Sequence, residues 1–130
     1  MAWTRTSLRV WYVDIPRKCD EEEDVAKAMQ KALGWSPDQL IDSSKPASLE
    51  EVLRVLSHHA IKYQQVYGKI PVLIIDNANR LAQKKEFLDH FQDYAKDTAD
   101  QGTVTVVFVS NEGRVPRRMM GKSIMFMVLF

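Results

Sequence analysis

A single cysteine, Cys19, in 130 residues excludes an intrachain disulfide and any metal centre built from cysteines of this chain. Charge excess is missing too: 18 Lys and Arg against 17 Asp and Glu leave a net charge of +1, which supplies no overall attraction for nucleic acid or an anionic membrane. No apolar run approaches the ~20 residues of a membrane span, the purely apolar tail 124–130 included. The N-terminal stretch MAWTRTSLRVWYVDI is interrupted by Arg5 and Arg9 and lacks the apolar core of a secretory signal. These absences predict an intracellular protein, in the cytoplasm or an organelle interior, with no membrane partner. With 45% hydrophobic and 27% charged residues, the composition is that of a folded globular domain. The length suits one domain, 1–130, with 112–130 as a tail of unsettled structure.

The chain is organised around Ile70–Arg80, IPVLIIDNANR. An aliphatic run that ends abruptly on Asp76 and Asn77 predicts a strand buried on both faces, as in parallel sheets covered by helices. Upstream, Leu8–Ile15 is rich in β-branched and aromatic residues and predicts the first strand. The acidic block Asp20–Asp24 opens a helical pattern, Val25, Met29, Ala32 and Leu33, that Gly34 stops. Acids there favour the positive end of the helix dipole and need no metal to explain them. After the loop-like WSPDQLIDSSKP, Ser48 and Glu51 have capping-box spacing, and a helix with one apolar face runs to Gly68. The neighbours His58 and His59 in it point about a hundred degrees apart, which rules out joint ligation of one metal. A third helix is predicted from Ala78 to Ala99, then an aliphatic strand, Thr103–Val109, closing on Ser110 and Asn111. The alternation of strands and helices predicts an α/β fold in three layers, a mostly parallel sheet with helices on both faces.

Two aliphatic strands that each end on a polar residue place Asp76 and Asn111 at one sheet edge, where open α/β folds bind ligands. If their strands are neighbours about 4.8 Å apart, both side chains reach one ligand: a carboxylate holds Mg²⁺ through water, and an amide orients a phosphate or an attacking water. In this ordered set VLIIDN resembles the Walker B strand, and VVFVSN the sensor 1 strand, of P-loop ATPases of the AAA+ and STAND type; RVWYVDI is similar to the strand preceding Walker B. The resemblance implies a partial P-loop core with ATP and Mg²⁺ as cofactors. It implies Asp76 as the magnesium-associated acid, Asn77 at the position of the catalytic acid, Asn111 as the sensor and Ser110 beside it. It also implies Arg114, Arg117 and Arg118 as candidates for contact with a phosphate, a neighbouring subunit's included. A solvated basic turn accounts for the same arginines.

The departures are as informative. No GxxxxGK[ST] run precedes the first strand, so the backbone cradle for the β and γ phosphates is missing from this sequence. Gly121, Lys122 and Ser123 spell the second half of such a loop, but Pro116 stands where its first glycine belongs, and a surface turn explains them equally. Asn77 carries an amide that accepts no proton. The expected protein is thus an ATPase-like domain, degenerate or truncated, that binds nucleotide weakly or not at all and turns it over poorly. The alternative is a non-enzymatic interaction module of the same fold, and a third reading, nucleic-acid binding through the arginine turn, has the least support. Without a phosphate-loop strand the edge of Thr103–Val109 is expected to stand open, inviting self-association or a protein partner unless Ile124–Phe130 fills the slot or pairs with another chain.

Overall fold

The computed structural model describes residues 9–34, 48–110 and 125–128. The chain runs β1 (Val10–Asp14), α1 (Glu22–Leu33), α2 (Leu49–Tyr67), β2 (Val72–Asp76), a 3₁₀ helix (Ala78–Gln83), α3 (Lys85–Gln101), β3 (Thr105–Ser110) and β4 (Met125–Val128). The strands form one sheet in the order β1-β2-β3-β4, and every pair is parallel. The α/β class and the parallel sheet read from the sequence are therefore present.

Local signals set the helix ends. The Ser48 hydroxyl accepts a hydrogen bond from the Glu51 amide at 3.1 Å and starts α2. The N-terminus of α1 is capped reciprocally by Glu21 and Asp24, a solvated use of the acidic block. Each α-helix stops on a left-handed glycine, Gly34, Gly68 and Gly102. The third helical region departs from the single helix expected over Ala78–Ala99: Lys84, at φ −125°, is extended and separates a 3₁₀ turn from α3. That break frees the first turn to follow the sheet edge while α3 lies along the core.

The described helices all lie on one face of the sheet, and a second helical layer is not among the described residues. Burial alternates in β1 and β2: Trp11, Val13, Leu73 and Ile75 are buried, whereas Val10 and Tyr12 are exposed and Val72 and Ile74 half-buried. The buried set joins Val106 and Phe108 of β3 and the inner faces of the three described α-helices in one core, and β3 is buried on its other face too, at Val107 and Val109. Strand order explains this. In a sheet whose strands follow sequence order, right-handed crossovers all deliver their helices to the same side, so the described elements make two layers. Helix α2 packs between α1 and α3 in the helical layer. An unbroken aliphatic run such as VLIID does not by itself show that both faces are covered.

The tail resolves in favour of the first alternative weighed above. Residues Met125–Val128 pair in parallel with Val107–Ser110 of the same chain, so the expected open edge of β3 is occupied, and the outer strands of the described sheet are β1 and β4. No described helix is long and apolar enough to cross a membrane.

Candidate functional site at the C-terminal edge of the sheet

Register decides what meets at this edge. Asp14 stands opposite Asp76, and Asp76 opposite Val109, with Ser110 one residue beyond. Because side chains alternate along a strand, Asp14 and Asp76 share a face with Tyr12 and Ile74, the face that the helices leave open. Ser110 shares a face with Phe108 instead and is fully buried.

Asn77 is the hinge of the site. It is the one described non-glycine residue with positive φ, at 59°, a conformation that asparagine tolerates better than most side chains. There its backbone N–H donates to Asp76 Oδ1 at 2.8 Å and its side-chain Nδ2 donates to Asp14 Oδ1 at 2.5 Å. One residue thereby ties together two carboxylates on neighbouring strands. The 3₁₀ helix continues the same clamp: the Asn77 carbonyl accepts from the Arg80 amide at 3.0 Å. The Arg80 guanidinium donates to the Ile15 carbonyl at 2.7 Å and lies 4.0 Å from Asp14 Oδ1. A nearby cation and an amide donor offset the repulsion between adjacent aspartates, which would otherwise oppose this pairing. Beneath the turn the buried Cys19 thiol points at the Arg80 carbonyl, 3.5 Å away, and burial raises its pKa. It is an inert packing group.

On the open face the Tyr12 hydroxyl donates to Asp76 Oδ2. This bond to the carboxylate, followed by burial and the negative charges of Asp76 and Asp14, pushes the phenol up to about 12. Both oxygens of Asp76 thus have donors, one from the backbone and one from a side chain that is 53% exposed.

Of the residues named from the sequence, Asp76, Asn77 and Ser110 lie at this edge; Asn77 is a structural tie between carboxylates, and Ser110 is directed into the core side. Asn111, Arg114, Arg117 and Arg118, and the GKS run with Pro116, lie outside the described residues. Asp14, Tyr12 and Arg80 were missed. Asp14 was legible in principle, because WYVD repeats the pattern of LIID, an apolar strand ending on aspartate. Tyr12 and Arg80 carried no signal, since only the register and the 3₁₀ turn bring them there.

Hard oxygen ligands on adjacent strands suit a hydrated Mg²⁺, which takes one or two carboxylates and completes its shell with water and phosphate. Among the described residues no group of three or more His, Cys, Asp or Glu is arranged to hold a metal, and Asp14 and Asp76 are the two carboxylates that the described strands bring to this edge. A separate groove of about 470 Å³ between α2 and α3, lined by Arg54, Ser57, His90 and Tyr94 among others, shares none of these residues. No family model matches the chain, and neither a curated protein nor a solved structure does.

Proposed function

We propose that the chain is an ATPase-like domain of the P-loop type that keeps the acid-bearing edge of the sheet, binds Mg²⁺-nucleotide weakly and turns it over poorly. The observation that supports this most is the alignment of Asp14 with Asp76 at the C-terminal ends of parallel strands. That is where open parallel sheets hold phosphate ligands. Bound Mg²⁺ would neutralise phosphate charge at this edge. Asp76 and Asp14 would receive its hydration shell, while Asn77 and Arg80 hold the two carboxylates in register. Asn77 is spent on Asp14 and its amide carries no acid–base function, so the position where the resemblance puts the catalytic acid supplies no base. The occupation by β4 of the place beside β3, where the resemblance puts the phosphate-loop strand, is compatible with this reduced chemistry.

The test is binding of a fluorescent ATP analogue with Mg²⁺, with EDTA, and in Asp76→Ala. Weak binding that needs both Mg²⁺ and Asp76, with no turnover above the Asp76→Ala background, is expected. A signal indifferent to Asp76 would refute the reading.

A second reading, a protein-interaction module, is favoured by a different observation. The outer edge of β1 is unpaired in the sheet order, and Val10 and Tyr12 beside it are 47% and 53% exposed. An edge of this kind accepts a further strand from a protein partner.

A further inference from the structure

We propose that Tyr12 is a latch on the cation-binding carboxylate: its hydroxyl holds Asp76 and competes with a divalent cation for Oδ2. The inference rests on the reading of Asp76 as the cation-associated acid. Tyr12 stands opposite Ile74, two residues short of Asp76, so its Cα lies about 6–7 Å below the strand end at the rise of a β-strand. From that level the hydroxyl reaches along the open face to Asp76 Oδ2 and occupies a lone pair that a cation would otherwise take. The other oxygen, Oδ1, is fixed by the Asn77 amide at 2.8 Å. With Oδ1 tied to the turn, Oδ2 is the oxygen held only by an exposed side chain, Tyr12, and is the one for which a cation competes with it.

The latch is built to open. The Tyr12 ring belongs to the face that no described helix covers and is 53% exposed, so it can swing aside without disturbing the core. Its hydroxyl then exchanges one carboxylate partner for water, at a cost set by a single exposed hydrogen bond. By contrast, release of Oδ1 would require the left-handed turn at Asn77 to unwind. Tyr12 is thus a positioning residue, acting on Asp76 and setting how readily the edge takes a cation.

The experiment uses Mn²⁺ alone as the probe, with free Mn²⁺ followed by electron paramagnetic resonance in the wild type, Tyr12→Phe, Asp76→Asn and the double variant, each checked for its fold by circular dichroism. Tyr12→Phe removes only the hydroxyl and is expected to tighten Mn²⁺ roughly threefold to tenfold, the net worth of one solvent-exposed hydrogen bond. Asp76→Asn should abolish binding in both backgrounds. In parallel, the ¹³C ring signal of Tyr12, assigned by its loss in Tyr12→Phe, should move on saturation with Mg²⁺ towards its position in Asp76→Asn. Unchanged or weaker Mn²⁺ affinity in Tyr12→Phe, with Asp76 still required, overturns the latch and leaves the site standing. So does a Tyr12 signal that ignores Mg²⁺. Absence of Asp76-dependent binding in every protein overturns the latch and the proposed site together.

Discussion

Replacing Asn77 separates two contributions that the structure joins in one residue. At φ 59°, a side chain with a Cβ and no local hydrogen-bonding capacity costs about 1 kcal/mol or more. The bond from Nδ2 to Asp14 is charge-assisted, but the Asp14 side chain is 60% exposed and recovers water when the bond is lost. Its contribution is therefore about 1 kcal/mol, below the range for buried charged partners. Asn77→Ala loses both, about 2 kcal/mol; Asn77→Gly relieves the backbone and loses only the bond, about 1 kcal/mol. Urea denaturation followed by far-ultraviolet circular dichroism measures the difference directly. Asn77→Asp is the third member of the series. It sets a further carboxylate beside Asp14 and Asp76, so stability should fall at neutral pH, and Mg²⁺ should restore part of it if this edge holds the cation. The reasoning fails if Asn77→Gly is no more stable than Asn77→Ala, because the left-handed backbone would then not be what asparagine is there to accommodate.

Adjacent residues of β2 test the layer assignment: Ile75→Ala, at a fully buried position, should cost about 2–5 kcal/mol, whereas Ile74→Ala on the half-buried face should cost clearly less. Equal costs would restore a sheet covered on both sides. A pH titration of stability addresses α2, where burial, then the neighbouring charges of His58 and Lys62, lower the His59 pKa. The unfolded chain binds that proton more readily, so the contribution is fully present above about pH 6.5 and is lost as pH falls towards the lower folded value. His59→Gln should flatten the slope between pH 7 and 5, and an unaltered slope would assign it to other groups.

Much of the site follows from local rules and was readable early. A strand that ends on Asp76 before a run of helix formers puts a carboxylate at the sheet edge whatever the neighbours are, and Asp14 repeats the rule. The role of Asn77 was not readable, because an asparagine after a Walker B-like aspartate looks like a failed acid until its φ and its reach to Asp14 are known. Tyr12 falls in the same class: in the chain it is one aromatic of a strand, and only the β1–β2 register carries its hydroxyl to Asp76.

The strands β1 to β3, the helices α1 and α2, the glycine stops and the Ser48 cap were determined by the sequence alone, since each depends on residues within a turn or two of one another. The tertiary structure decided the rest. Strand order placed the described helices on one face, because the side of a crossover depends on which strands are neighbours. Pairing across the chain turned the apolar tail at Met125–Val128 into the fourth strand. Register, a relation between segments far apart in sequence, brought Tyr12, Asp14, Asp76 and Asn77 together, and local periodicity carries no information about it.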